Sequence, residues 1–462
     1  MTQFHHDTFA FRRPPAERRT PPGPPAYVPG WHAWRFVRDP LGFLADAKRD
    51  YGDIAFFKLA GVDVYYVSHP DLVHEVLHTK RTSFTISAMR SRLEPLMGRG
   101  LLTSRGELHA RQRRLIQPAF RKAKVEAYAD AMVNRALSAR ERWRPDGEID
   151  LAREMLDLTM SVVAESLFRH DIGRDSMEVT RNLATLMGCY TRIMSPSFRA
   201  YLALPLPGAR RFWRAVRSLD GVIYRIIDRR RADASASDDL LGVLVREKDA
   251  ETNVHMTEKQ LRDELITLFL AGHETTASAL SWTIYLLARH AQVDARLYDE
   301  VRSVLAGRPR LEANDLPRMG YARKVLLEGI RLYPPSWHLA RSALVDVELA
   351  GYRVPKGSAV LMSQFVMHRD ARFYSDPERF APERWSEQFM AGLPRGAYFP
   401  FGGGDRHCIG ESFAWQEALL ALGTLAARWR FELVGGRQVR PFPSVTLRPD
   451  GPIRMRLRSR PA

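Results

Sequence analysis

The sequence predicts a mainly α-helical fold with small β-sheets, an α+β class, and three observations predict it. Apolar residues recur at three- and four-residue spacing through most of the chain, as in "DLLGVLVREK" (239–248), "YARKVLLEGIRLY" (321–333) and "ESFAWQEALLALGTLAARWRFEL" (411–433). Strand-like stretches are few and lie toward the ends of the chain. One long run, "ELITLFLAGHETTASALSWTIYLLARH" (264–290), is apolar almost all round, the pattern of a helix buried on every side. Dominant helices with segregated strands give this layer architecture.

Residues 1–30 are Pro-rich and basic and read as an extended arm, followed by one catalytic domain over 31–462. The arm has no apolar core of signal-peptide length, so a cytoplasmic protein without a membrane anchor is expected. "DIAFFKLAGVDVYYVS" (53–68) reads as two strands turning at Ala60-Gly61. "DVELAGYRVPKGSAVLMS" (346–363) reads the same way, with turns near Gly351 and Gly357. "SVTLRPDGPIRMRLR" (444–458) carries a Pro-Asp-Gly-Pro turn between alternating runs.

The chain has 462 residues, 45% hydrophobic and 27% charged, enough for a large core and ordinary for a globular protein. Its formal charge is +17, which raises nucleic acid as a partner. The basic residues are spread along the chain without zinc-finger, RRM or homeodomain-like patterning, so nucleic acid is not expected and an acidic protein partner explains the charge as well. Two cysteines, Cys189 and Cys408, form no CxxC pair and suit a reducing compartment. They exclude a four-thiolate zinc or iron–sulfur site within the chain.

The 264–290 helix would run about 36 Å from Leu265 to Ala288. A membrane span is disfavoured because Glu274 sits in its middle beside Gly272, His273, Thr275 and Thr276. In a core helix, Thr275 can turn its hydroxyl onto the Ala271 carbonyl, and Gly272 weakens the helix. Taken alone, this stretch is better explained by a structural kink with a satisfied Thr than by chemistry, though both readings stand at this point.

"FPFGGGDRHCIG" (399–410) frames Cys408 with Gly402, Gly403, Gly404 and Gly410. A helix opens directly after it, so the helix dipole and Arg406 favour a thiolate. The glycines allow tight turns and close approach of a flat ligand or its metal. An inert buried cysteine in a glycine-rich turn is the competing account.

The spacing Phe401-x-x-Gly404-x-Arg406-x-Cys408-x-Gly410 resembles the haem-binding loop of the cytochromes P-450. Four further stretches resemble the family's motifs in the family's order: "LHARQRRLIQPAF" (108–120), "AGHETT" (271–276), "EGIR" (328–331) and "DPERFAPERW" (376–385). The resemblance covers the chain from about Gly30 onward. It implies a haem b held between a long distal helix and a proximal Cys loop, with Cys408 as the metal ligand. It places Arg406, His109, Arg113 and Arg341 on the propionates, Phe401 near the sulfur, and Gly402 and Ala271 against the cofactor. His109 stands where many members have Trp, and either side chain can donate to a propionate. Glu328, Arg331 and Arg384 would share a structural ion network. Thr275 and Glu274 would be catalytic, relaying protons for dioxygen cleavage.

The activity so implied is insertion of one oxygen atom from dioxygen into a lipophilic small molecule by a monomer. Electrons would come from a separate donor, a ferredoxin with its reductase, since no flavin or nicotinamide domain fits in the chain. The pocket segments are mostly apolar, with Trp337 and Val445 as expected walls or else ordinary core. "LPLPGARRF" (204–212) resembles a stretch of bacterial sesquiterpene oxygenases and favours a terpenoid over a fatty acid, steroid or polyketide. Peroxide-using and isomerase variants tend to lose the acid–alcohol pair, which is intact here. A haem sensor or carrier without catalysis is the remaining rival.

Overall fold

A computed structural model describes residues 20–168, 178, 179, 181–183, 185, 186, 188, 189, 198–232, 239–246, 248, 251, 253–436 and 438–461. The arm over 1–30 therefore lies mostly outside the described residues. The chain divides into two compact units.

The first unit comprises residues up to Ser91, Ser336–Arg379 and Arg384–Cys408. Its centre is a five-stranded sheet of β1 (Ile54–Leu59), β2 (Val62–Val67), β3 (Phe84–Ile86), β4 (Leu339–Ala343) and β5 (Ala359–Met362), in the order β1-β2-β5-β4-β3. β1 and β2 form the expected hairpin, with Ala60 and Gly61 both at positive φ, as a two-residue hairpin turn that follows the strand twist requires. The β2–β5 pairing is parallel, and the other three are antiparallel. Strands 347–349 and 352–354 form a separate hairpin across Ala350-Gly351, also at positive φ. Trp337 is 2% exposed and packs against His338 and Phe36, so it is core, the second of its two expected roles.

The second unit holds Arg92–Pro335, Phe380–Glu383 and Ile409–Ala462. Its helices include α1 (Gly106–Ile116), α2 (Leu151–Phe168), α3 (Glu258–Arg289), α4 (Gly320–Leu332) and α5 (Glu411–Ala426). α3 is longer than the apolar run suggested: it has 32 residues and starts at a capping box of Thr257 and Gln260. α2 lies close along α3. A Cβ on Gly272 would come within 2.9 Å of Val163 Cγ2, so this glycine serves close helix packing. Gly329 does the same for α4, because a Cβ there would meet Thr283 Oγ1 at 2.3 Å. Trp282 ties the end of α3 down by stacking on Tyr333 at 4.0 Å and donating to the Leu447 carbonyl at 2.8 Å.

Two boundaries differ from the sequence reading. The helix expected over 411–433 stops at Ala426, and Trp429–Leu433 is a strand between helix and chain end. That strand pairs with Arg454–Ser459, a partner that local periodicity cannot reveal. The stretches flanking the Pro-Asp-Gly-Pro turn do not pair with each other: 447–449 pairs with 441–443, and 454–459 pairs with 429–433 and 148–150.

Candidate active site

In the first unit, the cysteine loop is shaped by backbone bonds. The Cys408 amide donates to the Phe401 carbonyl at 3.0 Å, and the His407 amide to Gly404 at 3.0 Å. Gly402 and Gly404 take φ of +72° and +65°, a region that favours glycine. Gly403 and Gly404 have a further cause in protein packing. A Cβ on Gly403 would meet His78 Nε2 at 2.7 Å, and one on Gly404 would meet the Leu77 carbonyl oxygen at 2.0 Å. The loop thus presses onto the turn at 75–79, while Cys408 itself is exposed. α5 begins three residues later, at Glu411.

Arg341, on β4, is 7% exposed. Its guanidinium donates to the Ala340 carbonyl, and the charges acting on it are those of Arg90 and Arg406, both of its own sign. Burial first, then these two cations, hold it well below the usual arginine range. His338, half-buried with its Nδ1 enclosed and lacking a partner, is pushed down to about 3 by desolvation and by Arg90. A buried cation with like charges around it calls for an anion. Arg90 is a member of this cluster that the sequence reading did not single out.

In the second unit, His109 and Arg113 lie at i and i+4 of α1, hence on one face, with His109 buried and Arg113 half-buried. Between Leu261 and Leu287 every residue of α3 is buried except Ala271, Gly272 and Thr275. Ala271 and Thr275 are again i and i+4, so the helix has one accessible face at its middle. Thr275 Oγ1 donates to the Ala271 carbonyl at 2.7 Å, the back-bond expected of it. Glu274 is buried, and its Oε1 accepts from Thr446 Oγ1 at 2.8 Å. His273 turns the other way, with Nδ1 on the Phe269 carbonyl and its own carbonyl accepting from Thr159. Val445 is half-buried in the turn that carries Thr446.

Glu328 and Arg331 are both fully buried and share two bonds, at 2.8 and 2.9 Å. Glu328 Oε1 also accepts the Ala381 amide. Arg384 donates to the carbonyls of Ser375 and Asp376. Cys189 is half-buried, and its thiol points to the Thr185 carbonyl.

Three buried acids on α3 and α5 escaped the sequence reading: Asp263, Glu264 and Glu417. Burial raises Glu417 well above the usual carboxylate range, with the nearby Thr276 hydroxyl acting against that rise. Their signal was there, as acids inside otherwise apolar helical runs.

Residues 21–456 match the family model described as Cytochrome P450. The chain is 39% identical to "Cyclooctatin synthase" of Streptomyces melanosporofaciens over 92% of each chain. It is 37% identical to that organism's "Cyclooctat-9-en-7-ol 5-monooxygenase" over 94% of each. It is 32% identical to "Pentalenene oxygenase" of Streptomyces avermitilis over 93% of this chain and 95% of the relative. The fold is similar to the crystal structure of the cytochrome P450DA heme domain, with a TM-score of 0.85, 25% identity, and 96% and 99% of the two chains covered. A mainly helical chain with a glycine-framed cysteine and an acid–alcohol pair on a buried helix is thus an oxidoreductase of the haem monooxygenase class. This chain belongs to the cytochrome P450 family, and its cofactor is haem b. Among the described residues no helix is long and apolar enough to cross a membrane. The residues present fit that cofactor: the Arg341 cluster suits a propionate, Cys408 offers an exposed thiol, and Ala271 opens the one accessible face of α3.

Proposed function

We propose that this chain hydroxylates an apolar terpenoid, taking electrons from a separate ferredoxin and its reductase. The observation that supports the substrate class is the set of terpenoid-oxidising relatives, matched over nearly their full length. When bound, the haem supplies the redox chemistry that cleaves dioxygen and inserts one oxygen atom into a C–H bond. Cys408 Sγ would ligate the iron, and Phe401 would pack beside the sulfur. His109, Arg113, Arg341 and Arg406 would hold the propionates by charge-assisted bonds. Gly402 and Ala271 would leave room for the flat ring.

Inserting one oxygen atom and releasing the other as water consumes protons, and the side chains of α3 would deliver them. Thr275 Oγ1 is half-exposed on the accessible face, so it can hand on a proton and take another in return. Glu274 is the acid behind it. Thr446 anchors its Oε1, which leaves Oε2 as the atom that takes and releases the proton.

The test is turnover of terpene hydrocarbons with a ferredoxin, its reductase and dioxygen, followed by mass spectrometry for a product heavier by one oxygen atom. Thr275→Ala should keep haem and substrate binding while diverting reducing equivalents to peroxide. Unchanged coupling in that variant would remove Thr275 from the relay. Oxygenation of fatty acids or steroids but no terpenes would overturn the substrate class.

A further inference from the structure

Residues 98–104 join the short helix Glu94–Met97 to α1, and α3 grips this loop through two neighbouring acids. Asp263 Oδ2 accepts the Arg99 amide at 2.8 Å, and Glu264 Oε2 accepts the Leu101 amide at 2.9 Å. The loop sits tight on the helix. A Cβ on Gly98 would fall 2.0 Å from the Asp263 carboxylate, and one on Gly100 would fall 2.3 Å from Thr267 Oγ1. Thr103 Oγ1 closes the loop on the Gly98 carbonyl at 2.8 Å. From the other side, Gln112 on α1 donates through Nε2 to the Arg99 carbonyl at 2.7 Å.

This arrangement leaves two acceptors facing a donor deficit. Glu264 Oε1 and Gln112 Oε1 are both buried and have no hydrogen-bond partner, and the two side chains interact. Turning the Gln112 amide over would give Glu264 a donor, but it would press an amide oxygen against the Arg99 carbonyl 2.7 Å away. One proton satisfies both oxygens without that clash. We propose that Glu264 is held as the neutral acid, donating from Oε1 to Gln112 Oε1. In this form it acts with Asp263 as a positioning residue for the Gly98–Ser104 loop and for the helix bearing His109 and Arg113. The importance of that loop to substrate rests on the monooxygenase reading above; the proton itself does not.

The surroundings agree. The charged group acting on Glu264 is Asp263 of its own helix, which is offset by Arg262 and Lys259. The Leu101 amide of the loop and Gln112 of α1, neither of them a cation, act against the rise but do not offset burial. Burial raises Glu264 to about 8, so the proton is retained at neutral pH and lost in mild alkali. Because the folded value lies above the unfolded one, the contribution to stability is complete at acid pH. It declines as pH rises toward and through about 8.

The haem-loaded protein tests this without turnover. An infrared difference spectrum of wild type against Glu264→Gln at about pH 7 should show the carbonyl band of a protonated carboxylic acid lost in the variant. Hydrogen exchange of the 98–104 amides, corrected for intrinsic rates, should quicken roughly tenfold in wild type between about pH 6 and about pH 9.5. In Glu264→Gln, whose amide can accept from Leu101 and donate to Gln112, protection should hold across that range. Spectral dissociation constants for a terpene should follow the same pattern. Absence of the acid band, pH-independent protection in wild type, or equal loss of protection in Glu264→Gln and Glu264→Ala would each overturn the proposal. A protein that met the infrared and exchange expectations but bound no terpene would overturn only the substrate reading.

Discussion

Thr446 Oγ1 donates to Glu274 Oε1 at 2.8 Å in the core of the second unit. The bond links the turn between strands 441–443 and 447–449 to the middle of α3, where the proton relay is proposed. It aims one oxygen of the acid away from solvent and fixes the side chain's rotamer. Thr446→Val should therefore lower coupled product formation by about fivefold, the worth of roughly 1 kcal/mol for one such bond. Haem content and the spectral dissociation constant should stay the same, and Thr446→Ser should restore coupling. Equal product per electron in wild type and Thr446→Val would show that Glu274 needs no anchor.

Cys408→Ala should abolish the thiolate-ligated absorption of the reduced, carbon monoxide-bound protein, while Cys189→Ala should leave it unchanged. Cys408 sits exposed on a loop fixed by the Phe401 carbonyl, whereas Cys189 faces the Thr185 carbonyl. Loss of the spectrum in the Cys189 variant instead would refute the ligand assignment.

Arg341 gives a prediction whose sign depends on the cofactor. Without an anion, its buried cation faces Arg90 and Arg406. Arg341→Leu should then stabilise the haem-free protein, by about 1–3 kcal/mol, in urea unfolding. The same variant should release haem faster from the loaded protein. A variant destabilised in both forms would mean that Arg341 is a packing residue.

The sequence made some of this legible and hid the rest for physical reasons. The Ala60-Gly61 hairpin and the buried α3 follow from local chemistry, and both are present. Trp429–Leu433 was misread because its apolar residues extend the helical spacing of α5, and only the distant pairing with Arg454–Ser459 makes it a strand. The cap of α3 at Thr257 carried a readable Thr-x-x-Gln signal, masked by the more obvious apolar run. His109, Arg113 and Cys408 were reached through motif spacing. Arg90 and Glu264 were not, because each takes its role from a neighbour brought close by tertiary structure: Arg341 for the one, Gln112 for the other.

The basic stretch 111–124 offers Arg111, Arg114, Arg121, Lys122 and Lys124 for docking an acidic electron donor, and the structure narrows that set. Arg111 donates to the carbonyls of Val254 and His255, and Arg114 pairs with Glu251 at 2.9 Å. Both are engaged with the segment before α3. Lys124 is half-buried. Arg121 and Lys122 remain exposed, at the start of the short helix Lys122–Ala127, with Lys122 3.8 Å from Glu126, which is also exposed. Exposed pairs of that kind are weak and leave the cation available to a partner. Steering by such charges acts on the association rate and is screened by salt. The double variant Arg121→Glu, Lys122→Glu should slow reduction by a ferredoxin about fivefold at low ionic strength. The difference should vanish at ~1 M salt, where the Debye length is about 3 Å. Reduction by dithionite and substrate affinity should not change. Arg114→Glu should instead loosen the 251–255 segment, read by its hydrogen exchange, with little effect on ferredoxin reduction. Equal low-salt reduction rates for wild type and the Arg121/Lys122 variant would place the donor on another face.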